Sequence, residues 1–568
     1  MQTTSRREAF SQFCKQPFDL LVVGGGITGA GIARDAALRG LCVGLLEKGD
    51  VGSGTSSKSS KLIHGGLRYL QQAEFGLVFE SVSERTLLFK LAPHLVRPQR
   101  FLVPTYKGHF PGRFVLGCGM WMYDALSKFS APDRHRGFRK KAVYTLEPCL
   151  RTEGLTGGVT YYDGITDDAR LTLETLLDAQ AAGAKVLSYA RVDRFVEDKE
   201  GTILGVCVSD VLDPNHTAEA FAKITVNATG PWTDGVLGKL RHAQPGPLLR
   251  PTKGVHVVID HARLPISHAI VMTVPSDGRI IFAIPWLDPE SKEAGRTILG
   301  TTDTDFSGEP DEVFADAADV AYLLDVANQY FPECTLVAQD VLATWAGLRP
   351  LVAPDGDGLD ASSVSREHRI VSSPGLVSIM GGKLTTYRRM AAELVSEVYA
   401  QLGESEPACP TETRPLPGAC DWMSQPEGVD PLATLAQELH KLAVPGLDPQ
   451  VAFHFSTTYG MRSRSLVEDL QRKLASGDVQ AKERLDPEQP FLFVEVDQAV
   501  TQDLALRLDD VLSRRLPLLL VGRDQGLSVA PAVASRMAAL LGWEKDREAS
   551  ELSSYQQVVA RSRRFRMA

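Results

Sequence analysis

The sequence predicts an α/β protein: a Rossmann-like nucleotide-binding domain is interleaved with a β-rich domain and followed by a C-terminal helical domain. Three observations support this prediction. A glycine-rich turn at residues 24–29 joins an apolar stretch to a helix-like run. Short apolar stretches that end in small residues return near residues 230 and 380. From residue 496 to residue 515, apolar residues recur with the spacing of one amphipathic helix.

The glycine turn has the residue pattern that a bound dinucleotide requires. Residues 18–23 are predicted to form a strand and residues 30–38 a helix. Gly24 allows the tight turn, Gly26 lets the backbone approach a pyrophosphate, and Gly29 lets the helix pack closely on the strand. This order of elements predicts dinucleotide binding.

The residues around the turn extend the prediction. The N-terminus of the predicted helix presents backbone N–H groups and a partial positive charge that suit phosphates. Residues 41–46 form a second predicted strand that ends in Glu47, whose carboxylate can accept hydrogen bonds from both ribose hydroxyls.

Bulk composition limits the class of protein. At 568 residues the chain can form more than one core. We predict an N-terminal extension at 1–17 and the α/β unit at 18–395. A Pro-rich linker is predicted at 396–425 and the helical domain at 426–568. The net charge of -9 argues against nucleic-acid binding. The eight cysteines contain no Cys-x-x-Cys pair, so we expect reduced thiols and no metal site.

Hydrophobic runs predict the compartment. The N-terminal residues lack the apolar core of a signal peptide, and no run approaches the ~18 apolar residues of a membrane span. We therefore expect a cytoplasmic protein that contacts membranes only at its surface.

The glycine turn does not distinguish NAD from FAD, but three other segments favour FAD. Residues 52–57 form a hydroxyl-rich loop that can follow an extended pyrophosphate. Residues 224–230 predict a strand that ends in small residues, where bulky side chains would collide with a dinucleotide. Residues 377–383 predict a strand, a diglycine and a second helix N-terminus that can stabilise negative charge on a flavin carbonyl.

Five ordered motifs make the resemblance specific. Residues 59–70, 227–232, 298–303, 345–350 and 381–388 resemble the signatures of the FAD-dependent glycerol-3-phosphate dehydrogenases of the aerobic, quinone-linked type. The resemblance implies an FAD-binding domain of the glutathione-reductase/amino-acid-oxidase type, with FAD-binding segments at about 18–95, 155–235 and 340–395. It implies oxidation of glycerol 3-phosphate to dihydroxyacetone phosphate.

The turn and the motifs together predict the cofactor-binding residues. They are Gly24, Gly26, Ile27, Thr28, Gly29, Glu47, Thr55, Ser56, Ser57, Lys61, Leu62, His64, Gly65, Gly66, Ala228, Gly230, Gly382, Lys383, Leu384 and Thr385.

A phosphate substrate requires fixed cations, preferably arginines that bind two oxygens at once. The motif segments offer Arg68, Arg279, Arg349 and Lys383, and Tyr69 adds a hydroxyl beside Arg68. Arg349 is expected in a loop because it precedes Pro350.

Alcohol oxidation also requires a base, and histidine titrates near working pH. His256 lies on a predicted strand, where its side chain points away from those of Val255 and Val257. We prefer His256 as the base, alone or in a relay with Arg349, and place His64 near the flavin or the phosphate. The sequence leaves the choice between the two histidines open.

Several functions remain open. Electrons can pass to a quinone at the membrane surface, or to oxygen in an oxidase. An amine or amino-acid oxidase of the same fold could use its arginines for a carboxylate, and a non-catalytic FAD protein would not need the cationic residues. The partners expected are glycerol 3-phosphate, a quinone, the membrane surface and a second copy in a homodimer. The basic tail at 561–567 is expected to contact an anionic membrane. The alternatives are a solvated tail and a tail held by acidic residues of the same chain.

Overall fold

The computed structural model describes residues 6–66, 74–109, 112–127, 134–242, 246–275, 278–288, 291–353, 367–420, 422, 430–442 and 447–567. The strands, in chain order, are β1 (Phe18–Val23), β2 (Val43–Leu46), β3 (Leu62–Ile63), β4 (Val96–Tyr106), β5 (Arg136–Arg139), β6 (Leu155–Thr166), β7 (Lys185–Leu187), β8 (Ala190–Glu197), β9 (Ile203–Asp210), β10 (Thr217–Asn227), β11 (Leu249–Asp260), β12 (Ala269–Thr273), β13 (Ile280–Asp288), β14 (Ser291–Gly300), β15 (Thr304–Asp305), β16 (Val341–Val352), β17 (His368–Ser373) and β18 (Leu376–Gly381). The α-helices are α1 (Arg6–Lys15), α2 (Ile27–Leu38), α3 (Phe75–Leu91), α4 (Arg113–Leu126), α5 (Lys140–Leu146), α6 (Asp168–Ala181), α7 (Thr233–Leu237), α8 (Ala317–Tyr330), α9 (Tyr387–Leu402), α10 (Pro431–Lys441), α11 (Pro449–Tyr459), α12 (Ser463–Ala475), α13 (Phe493–Thr501), α14 (Leu518–Val521), α15 (Ala530–Leu541) and α16 (Lys545–Ser562).

The first sheet is the predicted nucleotide-binding sheet. Within the described ranges its strands have the order β17-β18-β10-β1-β2-β7, and β9 and β8 continue from β10. β1 lies parallel to β2 and β10, and β10 lies parallel to β18. The prediction that segments near residues 230 and 380 complete this sheet is therefore confirmed. Leu20 and Val22 of β1 pack against α2, α6 and α9, whereas Leu21 and Val23 face α1 and the β8–β9 hairpin.

The second sheet is the predicted β-rich unit. Its described strands have the order β15-β11-β14-β13-β12-β4-β6-β3, with β16 paired to β11 and β5 paired to β6. One face packs under α8, and the other packs under α13, α15 and α16. Three of its strands, β3, β6 and β16, lie within segments predicted to bind FAD, because the chain passes repeatedly between the two sheets.

The N-terminal extension is part of the fold. Phe10 and Phe13 of α1 are buried in the core beneath the first sheet. The Arg6 guanidinium donates to the Asp210 carboxylate over 2.9 Å and to the Ser188 carbonyl over 2.7 Å. These contacts fix α1 against β7 and β9.

The segment predicted as a linker packs against helices α2 and α3. α9 continues past residue 395 to Leu402 and ends at Gly403, whose φ is +67°. Beyond it, the Arg34 guanidinium donates to the Arg414 carbonyl over 2.7 Å, and Leu416 N donates to Leu91 O over 2.9 Å. Its Pro-rich composition thus reflects an irregular backbone rather than freedom from the rest of the chain.

The prediction of one helix over residues 496–515 was wrong. α13 ends at Thr501, Leu504 has a φ of +63°, and a π-helical turn follows at Asp510–Arg515. The Asp510 carboxylate accepts hydrogen bonds from the backbone N–H groups of Leu506 and Arg507, and so supports a turn within the apolar pattern. The spacing of the apolar residues predicted which side chains are buried, but it did not predict the break in the helix.

The expectation of a solvated basic tail was also wrong. Phe565 is buried in the core beneath α8, and the Arg566 guanidinium donates to the Val341 carbonyl over 2.6 Å. The tail is therefore held by the protein, as a continuation of α16.

Candidate active site

The glycine turn adopts the geometry that its sequence predicts. Gly24 has a φ of +112°, and a Cβ atom there would lie 2.6 Å from the Ala228 carbonyl oxygen. A Cβ atom on Gly29 would lie 1.9 Å from the Gly24 carbonyl oxygen. Both positions require glycine, because β1, α2 and the end of β10 approach one another at van der Waals distance. The turn thereby exposes the N-terminus of α2 to a cavity.

Glu47 is held beside this turn at the end of β2. Its carboxylate accepts hydrogen bonds from Gly25 N over 2.6 Å and from Gly49 N over 2.8 Å. Burial raises the pKa of Glu47, and the two backbone donors oppose that shift. The carboxylate is therefore fixed at the position where ribose hydroxyls of a dinucleotide would be expected.

A cavity of about 700 Å³ spans the two sheets. This volume is within the range of small-molecule and cofactor sites. The predicted cofactor residues that line it are Gly24, Gly26, Ile27, Thr28, Glu47, Thr55, Ser56, Leu62, His64, Gly66, Ala228, Gly230, Gly382, Lys383, Leu384 and Thr385. The predicted catalytic and substrate residues that line it are His64, His256, Arg279, Arg349 and Lys383.

The hydroxyl-rich loop joins the two walls of the cavity. The Ser56 hydroxyl accepts a hydrogen bond from Ile27 N at the start of α2 over 2.9 Å, and the Thr55 hydroxyl donates to the Leu348 carbonyl of β16 over 2.6 Å. The loop thus lies between the helix N-terminus and the second sheet, as a pyrophosphate-following segment should.

The second predicted helix N-terminus is also present. β18 ends at Gly381, a 3-10 turn covers Leu384–Thr386, and α9 follows. His64 N donates to the Thr385 hydroxyl over 3.1 Å, which ties β3 to this turn. Lys383 Nζ donates to the Ser81 hydroxyl over 3.4 Å, and this hydrogen bond to α3 positions the ammonium group.

His256 lies on β11 and is 2 % exposed. Its Nε2 atom is 2.8 Å from the Ser60 hydroxyl, and its ring stacks on Trp345 with centroids 4.8 Å apart. Burial, helped by the charges of Arg349 and Lys61, holds the pKa of His256 well below its ordinary value. The imidazole is therefore neutral at physiological pH and available to accept a proton.

Arg349 lies inside β16, so the expectation that it occupies a loop was wrong. Pro350 fits within the strand because it pairs with another proline, Pro251, in the neighbouring β11. The Arg349 guanidinium donates to the Asp303 carboxylate over 2.9 Å and to the Thr301 hydroxyl over 3.1 Å. A Cβ atom on Gly254 would lie 2.7 Å from Arg349 Nη2, so the glycine leaves the guanidinium room.

Four predicted cofactor residues lie behind the cavity wall. Gly29 packs on the turn, and Gly65 N donates to the Tyr123 hydroxyl over 3.1 Å. Lys61 Nζ donates to the Asp168 carboxylate over 2.6 Å. The Lys61 side chain is thus engaged in a buried ion pair, and the FAD contact predicted for this residue stays a prediction. Ser57 is the fourth such residue, and Arg68 and Tyr69 lie outside the described residues.

Sequence reasoning missed several residues that shape the site. Ser60, Trp345 and Asp303 position His256 and Arg349, and each lies within one of the five motifs, in which only cations, histidines and one tyrosine were considered for the substrate site. Val192, on the wall near Glu47, lies in an ordinary β-strand sequence that gives no signal. Within the described ranges, no cluster of three or more His, Cys, Asp or Glu side chains could hold a metal ion.

Comparisons with known proteins agree with this geometry. The model of the FAD dependent oxidoreductase family matches residues 19–388, and that of the C-terminal domain of alpha-glycerophosphate oxidase matches residues 409–548. The aerobic glycerol-3-phosphate dehydrogenase of Staphylococcus saprophyticus is 35% identical over 560 residues, covering 97% of this chain and 96% of that protein. The glycerol-3-phosphate dehydrogenase of Synechocystis is 35% identical over 564 residues, covering 97% and 98%.

Solved structures give the same result. The glycerol-3-phosphate dehydrogenase of Bacillus halodurans complexed with FAD superimposes with a TM-score of 0.80 at 32% identity, over 98% of this chain and 97% of that chain. The L-alpha-glycerophosphate oxidase of Mycoplasma pneumoniae shares the fold over 71% of this chain and 99% of its own, with a TM-score of 0.52 at 19% identity.

Proposed function

The chain belongs to the family of FAD-dependent glycerol-3-phosphate dehydrogenases, and we propose that it oxidises sn-glycerol 3-phosphate to dihydroxyacetone phosphate with FAD. The observation that carries this proposal is that Arg349 and His256 line the same cavity as the glycine turn. One cavity thereby combines a cation for the phosphate, a base and a dinucleotide site. The names and near-complete coverage of the relatives support the substrate assignment.

The residues of the cavity fit FAD. Gly26 caps α2 without a side-chain acceptor, and the first turn of α2 has no acidic residue, so the helix terminus favours an anion. The Cβ atoms that Gly24 and Gly29 lack would prevent the close approach of β1, α2 and β10. Glu47 would hold the ribose, and the helix start at residues 384–387 would face the flavin ring.

The chain's own residues would prepare the substrate for oxidation. Bound FAD supplies the acceptor for the hydride that leaves C2 of the substrate. Arg349 binds the phosphate with its planar fork and is held in place by Asp303. His256 accepts the C2 hydroxyl proton, while Ser60 orients the imidazole. The buried surroundings of His256 limit access of water to this proton transfer.

The bound phosphate also assists the base. Arg349 lowers the pKa of His256 through its positive charge. A phosphate dianion beside Arg349 opposes that charge, so substrate binding raises the proton affinity of His256. The site thus gains a stronger base when the substrate is in place.

Product formation tests the substrate assignment. Purified protein is supplied with glycerol 3-phosphate and an artificial electron acceptor, and dihydroxyacetone phosphate is measured. Glycerol tests the need for phosphate, and glycine tests the alternative of an amino-acid oxidase. We expect product from glycerol 3-phosphate alone; turnover of glycine with none of the phosphate ester would overturn the assignment.

We further propose that electrons pass to a quinone at a membrane surface, and one helix supports this. The inner face of α4 places the Tyr123 hydroxyl against Gly65, beside His64 on the cavity wall. Its outer face exposes Phe114, Trp121 and Met122, with Phe114 84% exposed. A single helix thereby separates the predicted flavin site from an exposed apolar surface.

Charge around this surface matches an anionic lipid leaflet. Five exposed basic residues follow α4 along the chain: Arg134, Arg136, Arg139, Lys140 and Lys141. The Trp121 ring meets the His135 ring edge-to-face at 5.0 Å, which joins the basic segment to the apolar face. Apolar insertion combined with about 1 kcal/mol per basic residue gives peripheral binding. No described helix is long and apolar enough to cross a membrane.

Sedimentation with anionic vesicles tests this surface. We expect Phe114→Ser and Trp121→Ser to reduce pelleting, whereas Phe221→Ser changes an exposed phenylalanine on β10 and leaves pelleting unchanged. Equal pelleting of all variants would remove α4 from membrane binding.

A separate assay distinguishes the acceptors. Turnover is followed with a soluble quinone analogue under nitrogen, and hydrogen peroxide is measured in air. We expect fast quinone reduction and little peroxide. Peroxide formed in proportion to product would assign the chain as an oxidase instead.

A further inference from the structure

The docked C-terminal tail brings a charged residue to the dinucleotide cavity. Ser562 accepts a hydrogen bond from Thr344 N over 3.1 Å, and its carbonyl accepts one from the Thr344 hydroxyl over 2.7 Å. The Arg564 guanidinium lies 4.0 Å from the centre of the Phe314 ring. These contacts fix the end of α16 on the second sheet, and the preceding residue, Arg561, lines the cavity.

Arg561 takes part in a connection across the cavity mouth. Its guanidinium donates to the Asp311 carbonyl over 2.7 Å. The Asp311 carboxylate accepts a hydrogen bond from Lys48 Nζ over 2.7 Å, and this ammonium group lies 4.2 Å from the centre of the Trp232 ring. Because Lys48 follows Glu47 directly, the connection runs from the C-terminal helix to the ribose-binding end of the cavity.

A third cation lies within this group. Lys58, on the hydroxyl-rich loop, also lines the cavity. Burial and the charges of Arg514 and Arg561 lower the pKa of Lys58 to about 8, against the opposing effect of Asp509 and Asp311. The charged form of Lys58 is therefore disfavoured by its burial and by the two nearby arginines.

These observations indicate an anion that is held jointly by both domains. We propose that Lys48, Lys58 and Arg561, the cationic clasp, stabilise the diphosphate of bound FAD, so that the C-terminal domain helps to retain the cofactor. The proposal rests on the assignment of FAD to this cavity. A diphosphate placed at the α2 N-terminus would relieve the repulsion between Lys58 and Arg561, and the Asp311 bridge would close the cavity mouth over it.

Release of FAD from the holoenzyme tests the clasp. Flavin fluorescence is followed after dilution of the parent, Arg561→Gln and Lys58→Gln. Since Arg561 is partly exposed to solvent, we expect Arg561→Gln to release FAD about fivefold faster. We expect Lys58→Gln, on the less exposed loop, to release it about tenfold faster. Arg561→Lys keeps the charge and should stay close to the parent.

The matched control is Arg547→Ala. It removes an arginine from the same helix, where Arg547 pairs with Glu551 over 2.7 Å, and it does not line the cavity. We expect parental release from Arg547→Ala, and we expect the Arg561→Gln difference to shrink from low to high salt.

Thermal unfolding followed by tryptophan fluorescence shows that each variant is folded. Release at the parental rate from folded Arg561→Gln would overturn the proposal, as would equal acceleration in Arg561→Gln and Arg547→Ala. A parent protein that binds no flavin would instead overturn the cofactor assignment itself.

Discussion

Replacing Arg349 by alanine tests the substrate-binding half of the site. The Arg349 side chain is 21% exposed, and its guanidinium is held by Asp303, Thr301 and the Thr302 carbonyl at 2.9 to 3.1 Å. A hydrogen bond to a charged group contributes about 1.5–3 kcal/mol, which corresponds to about 10- to 150-fold in kcat/KM. We expect Arg349→Ala to lose activity toward glycerol 3-phosphate within this range. Arg349→Lys should recover only part, because a point charge cannot bind two oxygens in the same geometry.

Arg250 provides the matched control. It lies on the neighbouring strand β11 and binds the Asp305 carboxylate through two nitrogens, at 2.8 and 2.9 Å, outside the cavity lining. Steady-state kinetics with glycerol 3-phosphate and an artificial acceptor should give parental kcat/KM for Arg250→Ala. A folded Arg349→Ala variant within twofold of the parent, or an equal loss in both variants, would refute the phosphate-binding role.

The Arg349→Ala variant should also change the pH dependence of kcat/KM. Arg349 lowers the pKa of His256, so its removal raises that pKa toward the ordinary histidine value near 6.5. The neutral form of His256 is then lost at higher pH as the solution is acidified. We expect the acid limb of the kcat/KM profile to move upward in pH in Arg349→Ala, with no such movement in Arg250→Ala.

Three further predictions concern the cofactor, the base and acid stability. Gly26→Val should give flavin-free protein, because its side chain would meet the Ser56 hydroxyl, 3.0 Å from the ideal Cβ position, and block the approach of a pyrophosphate; normal visible absorbance of the folded variant would contradict this. His256→Asn should slow anaerobic flavin reduction about 100-fold with a smaller effect on substrate affinity, and an unchanged stopped-flow rate would move the base role to His64 or water. Burial lowers the pKa of His94 to about 3, so the unfolded chain takes up a proton as the pH falls below 6.5 and the folded state loses about 1.4 kcal/mol per pH unit. Urea unfolding at pH 7 and pH 5 should show a smaller loss in His94→Asn, and equal losses would contradict the buried neutral histidine.

The local sequence was enough to predict the structure at positions where the backbone geometry allows only one residue type. The turn from β1 to α2 requires glycine at positions 24 and 29, because neighbouring backbone occupies the space of a Cβ atom. The strands that end near residues 230 and 380 were also predictable, because small residues must line a dinucleotide site. Arg349 was predicted from its motif and His256 from its place on a predicted strand, and both line the cavity.

Other features depend on contacts between residues far apart in the sequence. Lys61 resembles a ligand in its motif, but Asp168, which is 107 residues away, holds it in a buried pair. The break after α13 is instead a local effect of the Asp510 carboxylate, which binds the backbone N–H of Leu506, and the apolar period alone gives no sign of it. The tail resembles a membrane anchor in sequence, but Thr344 of β16 and Phe314, which precedes α8, hold it on the protein.

Anaerobic reduction of the flavin by substrate tests the central claim most directly. The purified protein is mixed with glycerol 3-phosphate in the absence of oxygen, and the visible absorbance is followed; glycerol and glycine serve as controls. We predict that glycerol 3-phosphate bleaches the flavin rapidly, that glycerol bleaches it far more slowly because it cannot engage Arg349, and that glycine leaves it oxidised. A flavin that remains oxidised with glycerol 3-phosphate, or that glycerol reduces equally fast, would contradict the account.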